Sequence, residues 1–125
     1  MKILLAEDDH SIQLIAKMAL QSVGGHSVML AKDGVETLEQ VNTSKPDLIL
    51  LDIMMPRKNG FETCQDLKNS DHTKAIPVIF LTAKVQVLEL QHGMSLGAIG
   101  YIIKPFDPLT LSKQIEEILK KNEAA

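Results

Sequence analysis

The 125-residue sequence predicts a single α/β domain in which a parallel sheet is covered by helices on both faces. Five short apolar runs alternate with segments whose apolar residues recur at helical spacing. The runs Leu48–Leu51 and Val78–Leu81 are apolar at every position, which is typical of parallel strands buried on both faces. The length agrees, because 125 residues suffice for one domain with a substantial core and are short for two.

The predicted strands end where a polar or charged residue follows an apolar run. The clearest case is the third strand, in which four apolar residues lie between Asp47 and Asp52. Pro56 and Gly60 then shape the loop that follows it. The predicted strands are Ile3–Ala6, His26–Ala31, Asp47–Leu51, Pro77–Thr82 and one within Ala98–Ile103.

The predicted helices have recognisable ends. The first covers Ser11–Val23 and stops at Gly24-Gly25, where glycine can take the left-handed conformation. Asp33 caps the second helix, and Ser44-Lys45-Pro46 closes it. The pair Asp107-Pro108 is a typical start for the last helix.

Each helix except the fourth carries an apolar face. The fourth, at Val85–Leu96, has a weak stripe interrupted by Gly93, which predicts a partly exposed or mobile element. The predicted faces are Ile12, Ile15, Ala16, Ala19 and Val23 in the first helix, Val35, Leu38 and Val41 in the second, Phe61, Cys64 and Leu67 in the third, and Leu111, Ile115, Ile118 and Leu119 in the last.

Composition excludes several classes of function. A net charge of −3 gives no electrostatic case for binding nucleic acid. The single cysteine excludes an intramolecular disulfide and fits a reducing compartment. The N-terminal apolar run ends at Glu7, too early for a signal peptide, and no run approaches the roughly 18 residues of a membrane span. We therefore expect a cytoplasmic protein with neither nucleic acid nor membrane as a direct partner.

Functional groups follow four of the predicted strands. Glu7 and Asp8 follow the first strand, Asp52 the third and Lys104 the fifth, and Thr82 ends the fourth. The carboxyl ends of parallel strands share one edge, where open α/β sheets place their ligand crevices. Clustered carboxylates repel one another unless a cation joins them, and an oxygen-only site with few carboxylates suits Mg²⁺.

A metal, a hydroxyl donor and a lysine around a carboxylate match the needs of phosphoryl transfer. Lys104 and the metal would stabilise charge on the phosphoryl oxygens, while the Thr82 hydroxyl donates to one of them. Asp52 would be the nucleophile and would form an acyl phosphate. Each group taken alone can also be interpreted as a solvated acidic turn, a strand-end hydroxyl or a surface lysine. The phosphoryl-transfer interpretation therefore depends on all of these groups lying at one edge of the sheet.

The sequence resembles the receiver domain of response regulators in two-component signalling, from about Lys2 to Lys121. The likeness rests on Glu7-Asp8-Asp9, on Asp52-Ile53-Met54-Met55-Pro56 with Gly60, on Leu81-Thr82-Ala83, and on Gly97-Ala98 followed by Tyr101 and Lys104-Pro105-Phe106. It implies a flavodoxin-like fold with strand order 2-1-3-4-5 and a single receiver domain over residues 1–125.

The resemblance also implies the metal ligands. Asp8 and Asp52 would bind Mg²⁺, with Mn²⁺ as a substitute, through their side chains. Met54 would bind it through its backbone carbonyl, and Glu7 mainly through a metal-bound water.

The phosphoryl group would be received and held by a second set of residues. Asp52 would accept it from a histidine kinase or a histidine phosphotransfer protein. Lys104 and the backbone amides of Met54 and Ala83 would contact it, and the Lys104-Pro105 bond would be cis.

Phosphorylation would act as a switch. Thr82 would move toward the phosphoryl group and let the ring of Tyr101 move inward, although Tyr101 can also be read as an ordinary aromatic on an edge strand. The face formed by the fourth helix, the fifth strand and the fifth helix would then bind a downstream protein. The protein would act as a monomer or a phosphorylation-dependent dimer, and not as a turnover enzyme.

Some positions depart from the family pattern. Glu7 stands where aspartate is commoner, and Lys58-Asn59-Gly60 replaces the frequent Met-Asp-Gly. Met54 and Lys84 lie at positions that tune phosphoryl lifetime, and apolar Met54 predicts no unusually fast self-dephosphorylation because it cannot orient water. We expect Cys64 and Phe106 to be core residues.

Two other classes of function are alternatives to a stand-alone receiver that acts through partners. One is a phosphatase or phosphotransferase of another α/β class that forms an aspartyl phosphate, but that class typically presents Asp-x-Asp at its first strand. Here Ile53 and Met54 follow the acid at position 52. The other is a nucleotide or flavin binder, which fails because no glycine-rich phosphate loop follows a strand.

Overall fold

The computed structural model describes residues 1–83 and 89–124 and contains the predicted parallel sheet. Its strands are hydrogen-bonded in the order β2-β1-β3-β4-β5, so the expected flavodoxin-like topology is confirmed. The strands are β1 (Lys2–Ala6), β2 (Ser27–Ala31), β3 (Leu48–Asp52), β4 (Val78–Ala83) and β5 (Gly100–Lys104). The helices are α1 (His10–Met18, continued by a π-helical turn at Ala19–Val23), α2 (Gly34–Ser44), α3 (Gly60–Lys68), α4 (Leu90–Ser95) and α5 (Leu111–Ala124).

Strand β3 is the centre of the sheet, and all five of its residues are buried. It lies parallel to β1 on one side and β4 on the other, which places Asp52 opposite Leu81. The alternation of side chains along these strands produces two separate cores. One contains Ile49 and Leu51 under α2, α3 and α4, and the other contains Leu48 and Leu50 under α1 and α5. This double coverage explains why the strand is apolar at every position but its last.

The predicted face of the first helix was partly wrong. Ile15 and Val23 are exposed, whereas the buried stripe consists of Gln13, Ala16, Ala19 and Leu20. The π-helical turn rotates the last residues, so Val23 leaves the core. Gln13 takes an inward position because its amide donates to the main-chain carbonyl of Glu7, which satisfies a buried polar group.

Several ends also differ from the sequence-based expectations. The second strand starts at Ser27 rather than at His26, and the last helix begins at Leu111 rather than at Pro108. In front of that helix the Asp107 carboxylate accepts from the backbone of Leu109, which forms a separate turn.

Other expectations about ends and core hold. The Asp33 carboxylate caps α2 by accepting from the backbone of Glu36, as expected. Gly25 has a φ of +70°, which is the left-handed conformation expected after the first helix. Cys64 is fully buried, and Phe106 packs partly buried against the core under α1 and α5.

Gly93 gives α4 close contact with the core, and the interpretation of this residue as an interruption was wrong. It is buried against Phe61 and Phe80, whose rings meet edge to face with centroids 5.4 Å apart. The predicted residues Val85–Leu88 of this helix lie outside the described part of the chain. Within the described ranges, no helix has both the length and the apolar character that a membrane span requires.

Gly93→Ala is expected to destabilise the protein although alanine is the better helix former. An added Cβ would lie 2.6 Å from Phe61 Cε1 and 2.8 Å from Phe80 Cε2, so both rings must shift. We expect a loss of about 1–3 kcal/mol from overpacking, against a gain of about 1 kcal/mol in helix propensity. Urea unfolding measures the difference, with Gln91→Ala on the exposed side of α4 as the matched control. Equal stability of the two variants would contradict this packing.

Candidate metal centre at the carboxyl edge of the sheet

Three carboxylates meet where β1 and β3 end. Because these strands are neighbours in the sheet, Glu7 and Asp8 after β1 lie beside Asp52 at the end of β3. One oxygen from each lies within 4.8 Å of the other two. Glu7 and Asp52 are buried, while Asp8 is exposed, so the cluster opens to solvent on one side. The structure therefore brings together the three carboxylates that the sequence predicted as metal ligands.

Lys104 reaches the same cluster from the edge strand β5. Its Nζ atom lies 3.1 Å from Asp52 Oδ1 and 3.2 Å from Glu7 Oε1. The lysine side chain is 18% exposed, and both carboxylates are almost fully shielded from solvent. The Lys104-Pro105 peptide bond is cis, as the resemblance implied.

One ammonium cannot neutralise two buried carboxylates. Burial, the largest cause, and the adjacent Asp52 together raise the pKa of Glu7 from 4.5 to about 9, which outweighs the lowering by Lys104. Burial would lower the pKa of Lys104, but the charges of Asp52 and Glu7 raise it overall. An ion pair with Lys104 alone would keep Glu7 ionised. However, Asp52 shares the same ammonium, so one negative charge stays unbalanced unless Glu7 is protonated. Without a cation, Glu7 is therefore protonated near neutral pH.

The cluster fits a hard divalent cation. Glu7 Oε2 is buried and finds no hydrogen-bond partner in the described part of the chain. A proton shared with Asp52 or a bound cation would satisfy this oxygen. The donors are all carboxylate oxygens, which Mg²⁺ prefers, and the exposed position of Asp8 leaves room for metal-bound waters.

Glu7→Gln is expected to stabilise the metal-free protein at alkaline pH. The pKa of Glu7 is raised from 4.5 to about 9, so between these values the folded state binds more protons than the unfolded state. The free energy of unfolding of the wild type therefore falls as pH rises through this window. Glutamine keeps the shape of the protonated acid without titrating, so the variant should be more stable by on the order of 2 kcal/mol at about pH 8.5, and by less at about pH 5.5.

Urea unfolding in the presence of a chelator measures this difference. Glu39→Gln, at an exposed glutamate on α2, is the control and should change neither value. A wild type that is as stable as Glu7→Gln at both pH values would show that burial of Glu7 carries no such cost.

The remaining predicted site residues that the structure describes lie on β4, on β5 and in the loop after Asp52. Thr82 is fully buried on β4, and its hydroxyl donates to the Ala83 carbonyl at 3.2 Å. Ala83 ends β4 and lies opposite Lys104 in the sheet register. Met54 is 61% exposed, so a metal contact from this residue would come from its main chain. Tyr101 is 43% exposed on β5, and Lys84 lies outside the described residues.

Two contacts near the site were missed by the sequence reasoning. The Gln13 amide holds the Glu7 carbonyl, and its only sequence signal is a polar residue spaced three from Ala16 and seven from Leu20. Arg57, in the loop after Asp52, forms an ion pair with Asp33 at 2.8 Å. Nothing local marks that pair, because 24 residues separate its members.

The family model of the response regulator receiver domain matches residues 3–116. This match covers most of the chain and agrees with the fold and the acidic cluster. The chain therefore belongs to the family of response regulator receiver domains of two-component signalling.

The chain is also similar to longer regulatory proteins. It is 37% identical over 124 residues to the alkaline phosphatase synthesis transcriptional regulatory protein PhoP of Bacillus subtilis (strain 168), covering 99% of this chain and 50% of that protein. It is 40% identical over 123 residues to the probable transcriptional regulator ycf27 of Cyanophora paradoxa, covering 98% of this chain and 49% of that protein. The chain thus spans about half the length of the curated relatives that it matches.

Solved structures of similar length share the fold. The chemotaxis response regulator CheY4 of Vibrio cholerae matches with a TM-score of 0.86 and 32% identity, covering 94% of this chain and 97% of that one. A putative response regulator of Chloroflexus aurantiacus J-10-fl matches with a TM-score of 0.88 and 28% identity, covering 95% of this chain and 97% of that one.

Proposed function

We propose that Asp52 is the phosphoacceptor of this receiver domain. The phosphoryl group comes from a phosphohistidine of a histidine kinase or a histidine phosphotransfer protein, in a reaction that requires Mg²⁺ or Mn²⁺. The observation that supports this most strongly is the Lys104 ammonium 3.1 Å from Asp52, inside a cluster of carboxylates that could hold a divalent cation. A carboxylate is a competent nucleophile, and the charges of Lys104 and a bound divalent ion would favour the approach of a phosphate.

The transfer forms one bond and breaks one bond. A carboxylate oxygen of Asp52 attacks phosphorus, the bond between phosphorus and the donor nitrogen breaks, and the donor histidine is left free. Lys104 then exchanges its contact with the carboxylates for one with a phosphoryl oxygen.

A second group of residues would hold the metal and the product. Glu7, Asp8 and Asp52, with the Met54 carbonyl, hold the divalent ion, whose charge offsets that of the phosphoryl oxygens. The backbone amides of Met54 and Ala83 contact the transferred group.

The signal would leave the site through β4 and β5. Thr82 is buried between β3 and β5, so a hydroxyl that turns toward a phosphoryl group changes the packing beside β5. Tyr101 on β5 is half-exposed and can move inward in response. The surface of α4, β5 and α5 would then bind a downstream protein.

The wider setting is also a proposal. Residues 1–125 act as one receiver domain in the cytoplasm, as a monomer or a phosphorylation-dependent dimer, and bind neither nucleic acid nor membrane directly. Their output is the state of Asp52 rather than product turnover. The names of the longer relatives describe transcriptional regulators, which concerns those whole proteins.

Incubation with acetyl phosphate, with Mg²⁺ or with a chelator, tests this function. Intact-mass spectrometry should detect one phosphoryl group per chain with Mg²⁺ and none with the chelator. Repeated turnover of a phosphomonoester, with no stoichiometric uptake, would favour an aspartyl-phosphate phosphatase of another α/β class instead.

A further inference from the structure

The loop after Asp52 carries a predicted metal ligand, and its buried Met55 packs in the core under α2, α3 and α4. This loop, residues 53–59, begins with Ile53, whose backbone donates to the Leu81 carbonyl at 3.2 Å. At the far end, the backbone of Gly60 donates to the Ile53 carbonyl at 2.8 Å. Met54 and Arg57 on either side of Met55 are exposed, so core packing does not hold these two residues directly and the contacts of Arg57 add to the anchoring by Met55.

Those contacts lead to the N-terminus of α2. Arg57 Nε donates to Asp33 Oδ2 at 2.8 Å, while Asp33 Oδ1 accepts from the backbone of Glu36 at 2.8 Å and caps the helix. The backbone of Gly34 donates to the Lys58 carbonyl at 3.1 Å. One carboxylate therefore fixes the start of α2 and the tip of the loop together.

Burial makes this ion pair more than an ordinary surface contact. The Asp33 side chain is only 3% exposed, although the Arg57 side chain is 56% exposed. The hydrogen bond from Arg57 lowers the pKa of Asp33, so the carboxylate stays charged. The close approach also requires Gly34, because a Cβ there would lie 2.5 Å from the Lys58 carbonyl oxygen.

Arginine is conformationally unfavourable at position 57. Its φ of +62° lies in the left-handed region, which glycine adopts without strain and other residues rarely adopt. The ion pair with Asp33 offsets this cost, and glycine at this position would lack it.

We propose that Arg57 is a positioning residue for the metal site. Its ion pair with Asp33 holds residues 53–59 against α2, and so holds the main chain of Met54 in place to complete the divalent-cation site with Asp52. The inference rests on the function proposed above and links the start of α2 to metal affinity. Loss of the pair should leave the carboxylates in place and weaken binding of the ion, as loss of an outer contact does at other metal sites.

Three variants separate this role from a contribution to folding. Arg57→Gly removes the ion pair and the strain, Asp33→Asn removes the charge but keeps a capping oxygen, and Arg57→Lys keeps the charge. Lys74→Ala is the matched control, because it deletes an exposed ion pair with Asp71 far from the loop in sequence. Calorimetric titration with Mg²⁺ and initial rates with acetyl phosphate provide the two measurements.

The Mg²⁺ affinities of the variants test whether Arg57 positions the metal site. The dissociation constant for Mg²⁺ should rise by on the order of fivefold in Arg57→Gly and in Asp33→Asn. The double variant should be no worse than either single one. Arg57→Lys and Lys74→Ala should stay near the wild type. Phosphorylation should be slowed at low Mg²⁺ and recover at saturating Mg²⁺, which a general loss of folding would not produce.

The possible outcomes are distinct. If the wild type binds Mg²⁺ and both Arg57→Gly and Asp33→Asn bind it equally well, the positioning role is wrong and the proposed function stands. If the wild type itself neither binds Mg²⁺ nor takes up phosphate, the proposed function is wrong. If Arg57→Gly does not fold, Asp33→Asn decides the matter alone.

Discussion

Asp52→Asn is expected to abolish phosphoryl uptake from acetyl phosphate, slowing it by at least about 100-fold. An amide lacks the two nucleophilic oxygens of a carboxylate. Any remaining phosphorylation would require Glu7 or Asp8 to accept the phosphoryl group instead. The fold should survive, because asparagine has nearly the same shape and relieves the repulsion between two buried acids. The Asp52 side chain is 3% exposed and lies beside Lys104 and Glu7, so the change acts on the centre of the cluster.

Asp47→Asn is the matched control for this experiment. Asp47 lies at the opposite end of β3, is exposed, and accepts a hydrogen bond from the Lys2 backbone at 2.8 Å, which asparagine can also accept. It should be phosphorylated at the wild-type rate. Equal uptake by Asp52→Asn and the wild type would mean that another residue receives the phosphoryl group.

Mg²⁺ is expected to stabilise the wild type strongly and Asp8→Asn only weakly. A ligand at ten times its dissociation constant adds about 1.4 kcal/mol to the free energy of unfolding. The ion also relieves repulsion among the three carboxylates, whose oxygens lie within 4.8 Å of one another. Because Asp8 is exposed, its substitution should cost little stability without metal, while removing one charged ligand from the site.

Thermal unfolding with and without Mg²⁺ measures this effect. Asp9→Asn is the control, since Asp9 is the adjacent acid in the chain but accepts from the backbone of Ile12 to cap α1. It should respond to Mg²⁺ as the wild type does. A melting temperature that saturating Mg²⁺ leaves unchanged in the wild type would contradict a metal site at this edge.

Most of the fold was predictable because local and long-range signals agree in this chain. The third strand is an example: its uninterrupted apolar run predicts burial on both faces, and both of its neighbours lie parallel to it. The spatial order of the strands was not predictable from these signals. It came from the resemblance, since an alternating pattern specifies parallel strands without specifying which are adjacent.

The site residues that follow strand ends were predictable from the sequence. The contacts that depend on the path of a single loop were not. Glu7, Asp8, Asp52 and Lys104 meet because the ends of β1, β3 and β5 share an edge, which follows from topology. The ion pair of Arg57 with Asp33 depends on the path of one loop, and no periodicity encodes it.

Packing produced the other differences between expectation and structure. Gly93 was interpreted as an interruption of the fourth helix. Its contact with two aromatic rings joins three segments that are distant in the sequence, so no local signal indicates it. Ile15 and Val23 were assigned to the core because they are apolar, whereas the polar Gln13 takes a buried position by bonding to a carbonyl.

The most direct test of the account locates the phosphoryl group itself. Borohydride reduces an acyl phosphate to an alcohol, so treatment of the phosphorylated protein should convert the modified aspartate into homoserine. Peptide mass spectrometry after reaction with acetyl phosphate and Mg²⁺ should find homoserine at position 52 and nowhere else, and none when a chelator replaces Mg²⁺. Homoserine at Asp8 or Asp9, a phosphohistidine, or labelling of Asp52 that is independent of a divalent cation would contradict the account.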